Sequence, residues 1–342
     1  MTQAIRRRDM AASDHLVFRA VSAIIVLTLS VLISSCAHLA EVSDPTIPKR
    51  ITPLSEANFN QLVARLQAVQ NFQTLSISRA GIRSIDAESG TRSRGQGDVQ
   101  LALKRPDKIY FVVQVPISKS KITEMVSNGE HFKVAIYKPE EIRRFLIGTN
   151  NADYSKQREK LGREKQRGLA NIRPFHFTDA LMIHPLHIGD AHFVYSLEEA
   201  LIEEPDTRSG AKKGARVLHS FYVITEAEVS SSGQAPSLVR RRFWFDRTDP
   251  QTPLARQQVF DERGLLTTEA HYFRYAKLSA ESAELWPSEI FIMRPTDGYS
   301  VQLSFYENTV KFNSNLQEAA FDLKNTEGLP ETDLDKTEGS SK

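Results

Sequence analysis

Four histidines, which are able to bind a metal ion, fall in one short stretch of the chain: His176, His184, His187 and His192. The stretch contains no His-Glu-x-x-His motif and no cysteine partner. In addition, Pro185 prevents one regular helix from aligning the imidazoles on a common face. The sequence therefore predicts no metal site, and nothing in it indicates a cofactor.

Sequence signals of covalent catalysis are also poor. The nucleophile motif Gly-x-Ser-x-Gly is absent, and no glycine-rich loop has the spacing of a phosphate-binding turn. Three serines at 230–232 stand next to Gly233, which is typical of a turn. Acidic residues are plentiful, but no pair stands out as general acid and base. We predict no catalytic residues and a protein that is not an enzyme.

Cys36 is the only cysteine, and its position carries the most chemical information. It follows Ile33, Ser34 and Ser35 and an uncharged apolar run over residues 20–33, which itself follows arginines 6, 7, 8 and 19. That run is shorter than the roughly 20 residues of a membrane span and suits the apolar region of a secretory signal. An ordinary signal or a short anchor with an incidental cysteine is the alternative.

The stretch that ends at Cys36 resembles the bacterial lipobox. The resemblance implies that residues 1–35 are a signal peptide, that Cys36 receives a diacylglycerol and an N-acyl chain, and that the chain is anchored in a membrane. More than one acyl chain is needed for stable anchoring, since each buried CH₂ contributes about 0.8 kcal/mol. Ala37 stands where an aspartate would favour the inner membrane, so the resemblance implies the periplasmic face of the outer membrane.

Charge excludes one class of partner. The chain has 44 basic and 42 acidic residues, and removing residues 1–35 takes away four arginines and two aspartates, so that 40 of each remain. A formal balance of zero gives no support for binding to nucleic acid. No second apolar run is long enough to span a bilayer.

The patterns along the chain change from helical to β periodicity. Residues 36–53 form a tether with three prolines and no apolar periodicity, and Ser55 is the expected cap of a helix with an apolar stripe. Period-two alternation then predicts about ten antiparallel strands, including a hairpin over residues 97–115 and a tight turn at Asn128-Gly129. A charged insert (150–173) interrupts the strands, Pro174 is expected to open a short helix, and residues 326–342 are predicted to be a disordered acidic tail. The helical stripe consists of Phe59, Leu62, Val63, Leu66 and Val69.

Two sequence stretches, residues 99–109 (VQLALKRPDKI) and 316–323 (LQEAAFDL), resemble the bacterial lipoprotein-localisation superfamily, which contains the periplasmic lipoprotein carrier and its outer-membrane receptor. The resemblance covers about residues 55–323. It implies a mainly β fold with helices (α+β) over residues 54–325, in which helices cover a curved, incomplete antiparallel β-barrel around an apolar cavity for acyl chains. The chain is longer than members of that family. Moreover, no position matches the apolar residue on the receptor's protruding loop.

A half-barrel must cover its apolar face with side chains or with a ligand. Twelve apolar residues are the candidates for lining the cavity, and the alternative is that they fill a sealed core: Phe59, Leu62, Leu66, Val99, Leu101, Phe111, Val113, Phe132, Val134, Trp244, Phe291 and Phe305. Six cations of the charged insert are candidates for binding acidic headgroups, and the alternative is a solvated segment: Lys156, Arg158, Lys160, Arg163, Lys165 and Arg167.

Two functions follow from these expectations. The first is an outer-membrane lipoprotein that binds acyl chains or lipidated cargo and acts in lipid or lipoprotein transport, gated by movement of a helix. The second is a structural or interaction subunit of an envelope complex that holds no lipid and docks on an envelope protein.

Overall fold

The structure is a computed structural model that describes residues 48–86, 94–150, 173–230, 237–279 and 285–336. Cys36, the leader and the six headgroup candidates of the charged insert lie outside these ranges, so the predictions about them remain predictions. The chain divides into two units, residues 1–49 and 50–342. In the described residues no helix has the length and apolar character required to cross a membrane.

The described chain consists mainly of strands. Two α-helices are present, α1 (Phe59–Val69) and α2 (Phe175–Leu181), with short 3₁₀ turns at Glu140–Ile142, Pro295–Asp297 and Glu318–Phe321. The strands are β1 (Lys49–Arg50), β2 (Thr74–Asp86), β3 (Arg94–Lys104), β4 (Lys108–Gln114), β5 (Lys121–Ser127), β6 (His131–Ile136), β7 (Arg144–Thr149), β8 (Phe193–Pro205), β9 (Arg216–Glu228), β10 (Leu238–Asp246), β11 (Leu254–Phe260), β12 (Leu266–Ala276), β13 (Trp286–Arg294), β14 (Tyr299–Phe305), β15 (Val310–Phe312) and β16 (Glu331–Asp333).

One curved sheet contains β2–β16. From edge to edge its order is β8-β9-β10-β11-β12-β13-β14-β2-β3-β4-β5-β6-β7-β16, and β15 pairs with β2. Sequential neighbours pair antiparallel along both arms, as expected for hairpins, but β16 runs parallel to β7. The sheet is therefore mixed, and in the described residues it does not close into a barrel.

Helix α1 begins three residues later than predicted. Asn58, and not Ser55, is the N-cap: its side chain accepts from the Gln61 backbone N–H at 3.0 Å, and the Gln61 side chain accepts from the Asn58 N–H at 2.9 Å. Ser55 instead bonds the Arg247 carbonyl through its backbone N–H at 2.7 Å. The predicted apolar stripe is correct, because Leu62, Val63 and Leu66 are buried and Phe59 and Val69 pack against the core.

The predicted β3–β4 hairpin and the tight turn at Asn128-Gly129 are confirmed. Asn128 donates its backbone N–H to the His131 carbonyl at 3.1 Å, and Gly129 has a φ of 101°, which glycine adopts without strain. The prediction of a disordered tail is wrong for residues 326–336. There β16 pairs with β7, and Leu329 and Leu334 are buried, so this acidic segment has both backbone partners and apolar anchors.

The inner face of the sheet carries the main core, to which α1 and α2 contribute. A second, smaller apolar cluster lies on the outer face of β4–β7. There Leu323 and Leu329 of the C-terminal segment cover Val126, Ala135 and Phe145. The predicted lining residues are mostly in the main core, so the inner face is the candidate site.

Candidate functional site

Ten of the twelve residues predicted to line a cavity come together on the inner face. Nine are buried in the main core, and Phe59 packs against it in a partly buried position. The residues buried there are Leu62, Leu66, Val99, Leu101, Phe111, Val113, Phe132, Val134 and Phe305.

The other two, Trp244 and Phe291, lie on the outer face. Successive side chains of a strand point to opposite faces. The residues before and after Trp244 and Phe291 belong to the inner core: Phe243, Phe245, Ile290 and Ile292. Trp244 packs instead against Arg256, whose guanidinium carbon is 4.8 Å from the centre of the indole ring.

Helix α2 and the residues after it fill the inner face. We call residues 175–187 the inner segment. Phe177, Leu181, Met182 and Ile183 of this segment are buried in the same cluster as the predicted lining residues. Phe177 stacks on Phe111 with ring centroids 4.3 Å apart and an interplanar angle of 17°. The sequence predicted the helix but gave no signal that its apolar side chains would occupy the concave side of a sheet.

Arg105, in the β3–β4 turn, holds the middle of the inner segment. Its Nη1 donates to the carbonyl oxygens of Met182 at 3.4 Å and Ile183 at 3.3 Å, and its Nε donates to the Phe72 carbonyl at 2.8 Å. Burial lowers the pKa of Arg105, although the nearby Asp107 acts in the opposite direction. These are polar bonds to backbone, so they hold the segment without depending on its side chains.

A second arginine holds the C-terminal part of the inner segment. Arg241 donates to the carbonyls of His184 at 2.7 Å and Pro185 at 2.8 Å, and its Nε donates to Glu226 at 2.7 Å. Glu226 also accepts from the His187 backbone N–H at 3.0 Å. Both members of the Arg241–Glu226 pair are buried, which makes this the strongest polar attachment of the segment.

Polar groups surround the N-terminal part of α2 as well. His176 bonds the Tyr299 hydroxyl, and Arg294 bonds Asp297 at 2.9 Å. Burial raises the pKa of Asp179, although Arg294 acts to lower it. The inner segment thus combines buried apolar side chains with polar attachments at its start, at its middle and near its end.

The histidines that suggested a metal site are distributed over these attachments. His184 lies 3.4 Å from Asp107, and His187 contacts Glu226 and stacks on Phe193 with ring centroids 4.2 Å apart. His192 lies in the turn before β8, where its backbone N–H bonds Asp190 at 2.9 Å. Each histidine contacts a different set of neighbours.

One exposed apolar side chain was not singled out from the sequence. Ile117, between β4 and β5, is 96 % exposed. Lys119 follows it on the same connection and Lys121 begins β5; both are partly exposed, and they pair with Asp98 and Glu124. An apolar side chain beside lysines has the chemistry to enter a membrane surface, although single exposed apolar residues are also normal.

No family model and no curated protein sequence matches this chain. Solved structures that it resembles include a LolA superfamily protein from Nitrosomonas europaea, with 11 % identity, a TM-score of 0.42, and coverage of 78 % of this chain and 99 % of that one. A DUF1329 family protein from Desulfovibrio piger has 14 % identity and a TM-score of 0.40 over 78 % and 96 % of the two chains. A putative outer membrane lipoprotein-sorting protein domain from Vibrio parahaemolyticus has 12 % identity and a TM-score of 0.37 over 77 % and 95 %.

Proposed function

We propose that residues 50–342 bind acyl chains of a lipid or of a lipidated protein on the inner face of the sheet. The observation that carries this proposal is the inner segment, whose apolar side chains occupy the concave face while the partly buried Arg105 and the buried Arg241 hold its backbone. If the segment swings outward, it vacates an apolar surface of the kind an acyl chain can cover.

The energetics of such an exchange are balanced. Burial of apolar surface contributes about 25 cal/mol per Å² whether a side chain or an acyl chain supplies the contact. Replacing Phe177 and Leu181 by an acyl chain therefore changes the apolar term little, and the hydrogen bonds from Arg105 and Arg241 decide between the closed and open states. No covalent chemistry is required of the protein.

We place this activity at the periplasmic face of the outer membrane, with lipidated Cys36 as the anchor. The lipobox-like sequence supports the anchor, and the exposed Ile117 loop supports a second contact with a membrane. Two contacts with a membrane would keep the protein at the surface from which acyl chains are taken. The function is then transport of lipid or lipoprotein during envelope assembly.

A disulfide lock tests the proposal, and residues 37–342 offer a background without any other cysteine. In this form Phe111→Cys together with Phe177→Cys would join the sheet to α2. We expect a fluorescent fatty acid to bind the reduced protein and to lose about tenfold or more in affinity after oxidation. The control is Gln258→Cys with Glu269→Cys, a cross-strand pair of β11 and β12 whose oxidation should not change binding.

The interaction subunit remains the second candidate, because a filled inner face is also what a protein without a lipid ligand would have. Native mass spectrometry after expression in a bacterial periplasm separates the two. A stoichiometric lipid supports the carrier. A lipid-free mass, together with no fatty-acid binding in the reduced form, favours the interaction subunit and rejects the carrier.

A further inference from the structure

Strand β8 is an edge of the sheet that has an unusually regular backbone. Its thirteen residues, Phe193–Pro205, pair one to one with β9 without a bulge. In the part of the chain that the structure describes, no strand pairs with its other side. Such an edge presents a row of backbone N–H and C=O groups that can accept another strand.

Natural proteins protect edge strands with charged side chains, lysine above all, and with internal proline, bulges or short length. β8 is long and has no bulge and no lysine, and its only proline is its last residue, so its four glutamates are its protection of this kind. It also exposes three large apolar side chains: Val194 at 48 %, Leu197 at 39 % and Leu201 at 48 %. The opposite edge is different, because there the short strand β7 is already covered by β16.

The side chains of β8 indicate the chemistry of a partner strand. Leu197, Glu199, Leu201 and Glu203 alternate along one face of the strand, which makes a pattern of apolar and acidic positions. Glu199 pairs with Arg50 and Arg247, and Glu203 pairs with Arg216, yet the two glutamates remain 39 % and 46 % exposed. A strand added to this edge would meet the glutamates directly, so lysine or arginine is favoured opposite them.

A second copy of the chain fits the edge poorly in the symmetric register centred on Leu201. Besides Glu199 and Glu203, β8 carries Glu198 and Glu204, and it has no basic residue. Antiparallel pairing of two β8 strands centred on Leu201 would place Glu199 opposite Glu203 and Glu198 opposite Glu204. Like charges directly opposite each other destabilise a strand pair.

We propose that β8 binds an extended segment of a protein partner by strand addition, and that this segment alternates apolar and basic residues on the face that meets Leu197–Glu203. The edge is preorganised for this role. Tyr195 bonds the buried Glu226 at 3.1 Å, and Glu204 bonds His219, so β8 is held before the partner arrives. Leu197 lies opposite Ile224 of the inner core, so an added strand would border the inner face. It would be bound through the backbone edge of β8, and the inference does not require acyl-chain binding.

A labelled peptide tests the inference. The probe is acetyl-Lys-Thr-Val-Thr-Lys-Thr-Val-Thr-amide, with one form that has glutamate in place of lysine and one form that is N-methylated at alternate backbone positions. We expect the lysine peptide to bind in fluorescence anisotropy and to slow amide hydrogen exchange over residues 193–205. The glutamate and N-methylated forms should bind at least about tenfold more weakly.

Paired substitutions locate the site. Leu197→Lys with Leu201→Lys should reduce binding of the lysine peptide at least about tenfold, whereas Leu265→Lys, an equally exposed leucine outside β8, should not change it. If the N-methylated peptide binds as well as the lysine peptide, strand addition is overturned. If the glutamate peptide binds as well, the charge preference is overturned. No binding of any peptide would overturn the whole inference. A concentration-dependent dimer that Leu197→Lys dissolves would identify a second copy as the occupant instead.

Discussion

The two edges of the sheet are stabilised by different forces. At the β7 edge the C-terminal segment adds β16 and buries Leu323, Leu329 and Leu334, so apolar contacts dominate. At the β8 edge the side-chain attachments to β9 are polar: Glu226 bonds Tyr195, and His219 bonds Glu204. The β7 edge is therefore covered by a strand that apolar burial holds in place, whereas the β8 edge is held by polar side-chain contacts and stays accessible.

The largest expected effect lies behind the β8 edge. Glu226→Ala removes the carboxylate that faces buried Arg241 and the acceptor of Tyr195 and His187. Removing one member of a buried ion pair leaves an uncompensated charge and costs about 3–5 kcal/mol. Urea denaturation should show this loss. Glu203→Ala, which removes only an exposed pair with Arg216, should cost about 0–1 kcal/mol and serves as the control. Equal losses in the two variants would contradict the importance of the buried pair.

The next effect concerns the β7 edge. Leu334, the residue directly after β16, is buried in the main core. Leu334→Ala should therefore lower the free energy of unfolding by about 2–5 kcal/mol, the usual cost of a buried leucine-to-alanine change. The loss should be independent of salt concentration because no charge is involved. Thermal denaturation measures it, with Ile117→Ala as a control that should stay within about 0.5 kcal/mol. An unchanged melting temperature for Leu334→Ala would show that β16 is not held by burial.

The same two edges show what the sequence could predict. Alternating apolar residues and strong turn signals correctly predicted the hairpins of β3–β4 and β5–β6, because both signals are local. β8 was missed because its leucines, alanine and glutamates have high helix propensity, and thirteen pairs with β9 override that preference. β16 was missed because an acidic sequence gives no sign that a distant edge will pair with it.

The candidate site was predicted in part for a similar reason. Seven of the candidate lining residues on the inner face were assigned from period-two patterns and three from helical spacing, but Phe243, Trp244 and Phe245 are all aromatic, so alternation alone did not reveal which of them faces inward. The contact of Phe177 with Phe111 joins α2 to β4, which are far apart in the chain. Long-range contacts of this kind leave no periodic pattern in the sequence.

A pH-dependent effect would sharpen the comparison. Burial acts to lower the pKa of His219, but hydrogen bonds to Asp246 and Glu204 outweigh it and raise the pKa to about 9. A raised pKa stabilises the fold fully below the unfolded value of about 6.5, and the stabilisation is lost as pH rises through about 9. His219→Gln should therefore lower the free energy of unfolding at pH 6 by up to about 3 kcal/mol, and the difference should shrink toward pH 9.5. Chemical denaturation across this range tests it. A difference that does not change with pH would assign His219 a packing role only.

The smallest effect is expected from charge on the C-terminal segment before it reaches the β7 edge, where Glu318 pairs with residues of β3 and β4. Glu318 contacts Lys104 and Lys108, and these contacts hold its pKa near 2, but all three side chains are partly exposed. Solvent and salt screen such pairs, so Glu318→Gln should change stability only slightly, and only at low ionic strength. Melting temperatures measured at low and high salt should converge for the variant and the wild type, whereas the loss in Leu334→Ala should persist at both. If Glu318→Gln instead released β16, seen as fast amide exchange over residues 331–333, charge would hold both edges, and the distinction between them would fail.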